Sequence, residues 1–128
     1  MRLLLDTHLT IWWEASHHRR PAAVIDLVRR KAESVFVSRA PRWEIAIKVS
    51  VGRLRIDVAK FPRSIETHGF QWLDIRNGHI LGLGSLPTFD DHRDPFDRLL
   101  VAQSLTEPLL FLTADAKLGR YGATVRVI

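Results

Sequence analysis

The chain has 128 residues, 46% of them apolar and 26% charged, which suits one compact domain over residues 1–128 with a sizeable core. No apolar run approaches the roughly 20 residues of a membrane span, and Leu3-Leu4-Leu5 is cut off at once by Asp6, so neither a membrane partner nor a signal-peptide core is expected. The absence of cysteine excludes disulfides and thiolate chemistry and makes the cytoplasm the expected location. Nineteen lysines and arginines against 14 acids leave a net charge of +5, with arginine in heavy use. A basic surface attracts polyanions, and the guanidinium fork can bind two phosphate oxygens, so nucleic acid is the expected partner class.

Arg2 to Leu5 reads as a buried strand, central in a parallel sheet. Thr7 to Glu14 reads as a helix with Leu9, Trp12 and Trp13 on one face. Pro21 starts a second helix, with Ala22, Ile25 and Val28 on one face and Arg29, Arg30 and Lys31 at its C-terminal end, where cations suit the dipole. His17-His18 beside Arg19-Arg20 reads as a solvated turn. Val35-Phe36-Val37 is a second buried strand, ending at Ser38. Pro41 to Val51 reads as a helix, apolar nearly all round apart from Glu44 and Lys48, an i, i+4 pair with the acid first. Gly52 ends it. After an extended link at Leu54-Arg55-Ile56, Val58 to His68 reads as helical, with Pro62 a start or a kink, and Gly69 ends it. Phe70 to Ile75 is a third strand, and Asn77 to Ser85 a short helix. Pro87 to Arg93 is a polar loop.

Asp94 then caps a largely buried helix with Pro95 at its first position and Asp97 at its third. That helix ends near Glu107-Pro108. Leu109 to Leu112 is a fourth strand, closing at Thr113-Ala114-Asp115. Ala116 to Arg120 is a helical turn, and Thr124 to Ile128 a final edge strand. Strands alternate with helices, so the fold class is α/β: a parallel sheet of four to five strands covered on both faces.

Four acids converge under this topology. Ligands in open α/β sheets bind outside the carboxyl ends of the strands, where strand order reverses. Asp6 ends the first strand and Asp115 lies two residues past the fourth. A crossover helix runs antiparallel to its strands, so its N-terminus returns to that same edge. Asp97 therefore lies there, as does Glu44, placed in the first turn of the helix that follows the second strand. Four carboxylates so close cannot all stay ionised unaided. A divalent cation resolves the repulsion, and oxygen ligands without cysteine or paired histidines favour Mg²⁺ or Mn²⁺ over Zn²⁺. Such an ion activates water and draws in phosphate. Asp97 and Asp115 are both candidates for the water-activating acid.

Other residues stand further back. Asp94 reads first as a helix cap. Ser38 and Thr113 close strands at the same edge and either hold a metal-bound water or an acid, or satisfy backbone groups. His92 is placed to touch substrate or an antagonist, and His8 borders the site. Trp12, Trp13 and Trp43 read as core or interface rather than as base-stacking platforms. Neither a phosphate-cradling glycine loop nor a Ser–His–Asp nucleophile elbow is present.

Four motifs occur in order: Leu3-Leu4-Leu5-Asp6-Thr7-His8, Trp43-Glu44-Ile45-Ala46-Ile47-Lys48, His92-Arg93-Asp94-Pro95-Phe96-Asp97-Arg98-Leu99-Leu100, and Thr113-Ala114-Asp115. Together they strongly resemble a PIN-domain toxin of the VapC type, over nearly the whole chain. The resemblance implies a three-layer α/β/α PIN fold and a Mg²⁺-dependent endoribonuclease with RNA as substrate. It also implies a cognate VapB-like antitoxin that blocks the site, and commonly a homodimer. The acids carried over are Asp6, Glu44, Asp97 and Asp115. Two departures stand out. Ser38-Arg39-Ala40-Pro41-Arg42 occupies a stretch that is mostly small or apolar in the family, and Glu107-Pro108 replaces a glycine-type turn. Neither removes an acid. The rival readings are a noncatalytic RNA- or partner-binding module on the same fold, and a phosphoryl-transfer enzyme of the haloacid-dehalogenase kind. The second needs another acid where His8 stands.

Overall fold

The structure is a computed structural model that describes residues 1–14, 21–57, 59 and 65–128, the side chain of residue 14 excepted. Its elements run β1 (Arg2–Leu5), α1 (Thr7–Glu14), α2 (Ala22–Asp26), β2 (Ser34–Ser38), α3 (Arg39–Ser50), β3 (Gln71–Leu73), α4 (Asn77–Gly82), α5 (Pro95–Thr106), β4 (Leu110–Thr113) and β5 (Val125–Val127). A wide π-turn over Leu27–Lys31 prolongs α2, and a 3₁₀ turn over Ala116–Tyr121 joins β4 to β5. The His17-His18 turn and most of the helix expected over 58–68 lie outside the described residues; 65–67 of that segment are helical.

All five strands are parallel, in the order β3-β2-β1-β4-β5. The leucine run makes β1 the centre. Leu3, Leu4 and Leu5 are all fully buried, which only a strand covered on both faces achieves. Alternation then sends Leu3 and Leu5 into one core with Leu9 and Trp13 of α1, Val24 of α2 and Ile45 of α3. Leu4 enters the other, with Leu100, Val101 and Ala102 of α5, Phe111, and Leu118 and Tyr121 of the 3₁₀ turn. The result is the expected three-layer α/β/α sandwich. Strand order reverses at β1, which pairs with β2 on one side and β4 on the other.

Several boundaries differ from the sequence reading, each for a local reason. The helix expected from Pro41 begins at Arg39. Ser38 is its N-cap, with Oγ accepting from the Ala40 N–H at 3.1 Å, and Pro41 sits among the first-turn residues whose N–H groups have no helical partner. The third strand is three residues long because the Phe70 N–H is spent on the Ile65 carbonyl, behind Gly69 at φ 76°, and Asp74 turns to Arg39. The fourth strand starts at Leu110, since the Leu109 N–H returns to the Ser104 carbonyl to close α5. Helix α3, expected to be apolar nearly all round, carries an outward stripe: Trp43, Ile47 and Val51, one turn apart, are 58%, 41% and 62% exposed.

Candidate active site

The site is built at the reversal, where β1 and β4 end side by side. Asp6 follows β1 and is buried. Its Oδ1 accepts from the Leu9 N–H at 2.8 Å, which makes it an acid at the start of α1, and its Oδ2 accepts from the Thr113 hydroxyl. Burial is the largest influence on this carboxyl and raises its pKa above the usual carboxylate value, against the lowering effect of those hydrogen bonds. Thr113 also accepts from the Asp115 N–H at 3.0 Å. One hydroxyl thus ties the acid after β1 to the acid after β4. Of the two roles weighed for strand-end hydroxyls, Thr113 holds an acid and Ser38 satisfies backbone.

Glu44 arrives from the β2 side. With α3 starting two residues early, it falls in the second helical turn rather than the first, and is still buried. Its Oε1 accepts from Thr7 Oγ1 at 3.0 Å and its Oε2 pairs with Lys48 Nζ at 3.1 Å, the expected i, i+4 bridge. Thr7 was not among the residues read from the sequence. Its signal was there: it directly follows Asp6 at the start of a helix, at the same edge.

Asp97 sits at the third position of α5, as the capping pattern predicts. Asp94 is the N-cap, with Oδ1 accepting from the N–H groups of Phe96 at 2.9 Å and Asp97 at 3.0 Å. Burial, then the Asp94 charge, pushes the Asp97 carboxyl up to about 6; Glu44 raises it further, while His92 lowers it. The influence of Glu44 on Asp97 places both acids in one electrostatic field. Asp115 is exposed and caps the 3₁₀ turn, its Oδ1 accepting from the Lys117 N–H at 3.0 Å.

His92 departs from its expected role. It is buried rather than presented to a partner. Nδ1 lies 2.8 Å from the Tyr121 hydroxyl and Nε2 lies 3.3 Å from Asp97 Oδ2. One donor atom each from His92, Asp97 and Asp115 fall within 4.8 Å of one another. Tyr121, from the far side of β4, had no sequence signal, because it reaches the site only through the tertiary fold. His8 is exposed on α1.

This donor set suits a hard divalent cation. Two carboxylates converge on a volume the size of a coordination sphere, and a third acid, Asp6, is joined to it through Thr113. The raised pKa of Asp97 has the sign expected where negative charge lacks its counter-ion.

The PIN domain family matches residues 3–123, and the chain belongs to that family. No curated protein matches by sequence. Among solved structures, the whole chain superposes on 98% of a chain in the crystal structure of VapBC2 from Rickettsia felis bound to a DNA fragment from their promoter, at a TM-score of 0.71 and 14% identity. The fold is therefore PIN-like from end to end, on a sequence that has diverged widely from that structure. No helix among the described residues is long and apolar enough to cross a membrane.

Proposed function

We propose that this chain is a VapC-type toxin, an endoribonuclease dependent on Mg²⁺ or Mn²⁺, acting in the cytoplasm as one PIN unit over residues 1–128. The observation that carries the reading is the gathering of Asp6, Glu44, Asp97 and Asp115 at the one edge where strand order reverses, on a chain of the PIN family. When bound, the cation would polarise a phosphodiester and neutralise charge developing on it.

The chain's own residues divide the remaining work. Asp97 and Asp115 would hold the ion, with Asp6 and Glu44 behind them. Thr113 fixes the rotamer of Asp6 and Thr7 that of Glu44. Asp97 or Asp115 would take the proton of the attacking water as the P–O bond to the leaving ribose oxygen breaks. The net charge of +5 supports a polyanionic substrate outside this acidic mouth. A VapB-like antitoxin and a homodimer are the proposed partners; a VapBC2 complex as structural neighbour supports the first.

Cleavage of total RNA by the purified chain, freed of any copurified antitoxin, tests the reading. Wild-type protein should cut with Mg²⁺ or Mn²⁺ and stop with EDTA, and Asp6→Ala should not cut. Wild-type protein that binds RNA without cutting it would move the assignment to a noncatalytic binding module.

A further inference from the structure

We infer that His92 is a positioning residue for Asp97, a neutral imidazole that donates from Nε2 to the carboxylate and stays outside the coordination sphere of the cation. The inference rests on the metal-site reading above and assigns a role within it. Distance alone leaves His92 open as a third ligand, because its donor atom lies within 4.8 Å of those of Asp97 and Asp115. The direction of the hydrogen bonds removes that option.

The chain of donors begins at Arg98. Its guanidinium can only donate, and Nη1 does so to the Pro87 carbonyl at 2.9 Å and to the Tyr121 hydroxyl at 3.1 Å. Tyr121 is buried, so its own proton needs an acceptor, and His92 Nδ1 stands 2.8 Å away. If His92 carried its proton on Nδ1, the phenol oxygen would face two donors and its hydrogen would be left without a partner, a cost of roughly 1–3 kcal/mol for a buried group. Nδ1 is therefore the acceptor, and the ring proton sits on Nε2, facing Asp97 Oδ2 at 3.3 Å. A nitrogen that donates a proton has no lone pair for a metal. The sequence Arg98, Tyr121, His92, Asp97 runs in one direction only.

Packing holds the ring in that orientation. The His92 and Tyr121 rings meet edge-on at 5.4 Å, Phe89 closes on Tyr121 at 5.2 Å, and the His92 backbone N–H is tied to the Phe89 carbonyl at 3.2 Å. The arrangement parallels the partners that commonly orient metal-ligating side chains, with the imidazole here orienting a carboxylate.

The test reads the tautomer directly. Long-range ¹H–¹⁵N spectra of metal-free protein at mildly alkaline pH, with His92 assigned by its absence in His92→Gln, should show the Nε2–H form. That form should persist after Mg²⁺ is added, and Tyr121→Phe should release a mixture of the two tautomers. An Nδ1–H ring in the metal-free protein, a doubly protonated ring, or a switch to Nδ1–H on adding Mg²⁺ would overturn the inference. A second arm measures Mn²⁺ affinity. His92→Ala should weaken it by about 10–100-fold, while His92→Gln, which keeps a side-chain N–H, should stay within about threefold of wild type. Equal losses in both variants, or none in His92→Ala, would also overturn it. If wild-type protein shows the Nε2–H form and yet cuts no RNA, the nuclease reading fails and the His92 assignment stands apart from it.

Discussion

The carboxyl edge of the sheet has two unlike halves. On one side, Asp6 and Glu44 are buried, and each is held by a threonine, Thr113 and Thr7, from a neighbouring element. On the other, Asp97 and Asp115 start helical turns and are more open, with Asp97 carrying a carboxyl raised to about 6. The first half is satisfied by the protein alone. The second concentrates negative charge that the protein leaves unneutralised. Pre-satisfied acids set the shape of a site, and strained, accessible acids bind what enters it.

The largest predicted effect breaks the open half. Asp97→Ala should lower metal-dependent cleavage by about 10²–10³-fold, the scale for losing a group that stabilises transition-state charge, with the far-UV spectrum unchanged. The buried half should respond in stability as well as activity. Thr113→Val removes the donor to Asp6 and the acceptor of the Asp115 N–H together, and should destabilise the chain by about 1–3 kcal/mol in urea unfolding. Thr7→Val, which leaves Glu44 with its Lys48 bridge, should cost about 1 kcal/mol.

Metal-free stability as a function of pH sharpens the contrast further. The Asp97 carboxyl lies higher in the folded chain than its ordinary value of 3.8, so the folded state binds the proton more tightly than the unfolded state does. Stability from this group is greatest below about 4 and is lost as pH rises through about 6. Asp97→Asn should remove that slope and stabilise the metal-free chain at neutral pH by about 1–2 kcal/mol, after allowance for solvent screening. A metal-free wild type with no loss of stability between those values would mean that the open half carries no uncompensated charge.

Much of this arrangement is legible in sequence because it is local. The leucine run before Asp6 dictates a central strand, and Asp94-Pro95 with Asp97 three residues past the cap dictates a helix start. Parallel topology then brings Asp6, Asp97 and Asp115 to one edge without any coordinates. Glu44 reached the right edge in the wrong turn, since Ser38 outcompetes Pro41 as the start signal once its hydroxyl finds the Ala40 N–H. What was not legible is long-range. Thr7 on Glu44 and Tyr121 on His92 join residues 37 and 29 positions apart. Neither pairing leaves a periodicity to read. His92 looked like a surface contact because its loop is polar, but Phe89 and Tyr121 fold over it.

The central claim is that the open half is a cation site completed by the buried half. Calorimetric titration of Mn²⁺ into wild type, Asp97→Asn and Thr113→Val tests it most directly. The account predicts saturable binding in wild type, binding abolished in Asp97→Asn, and weakened binding in Thr113→Val, where every carboxylate is still present. Equal Mn²⁺ affinity in wild type and Asp97→Asn would contradict it.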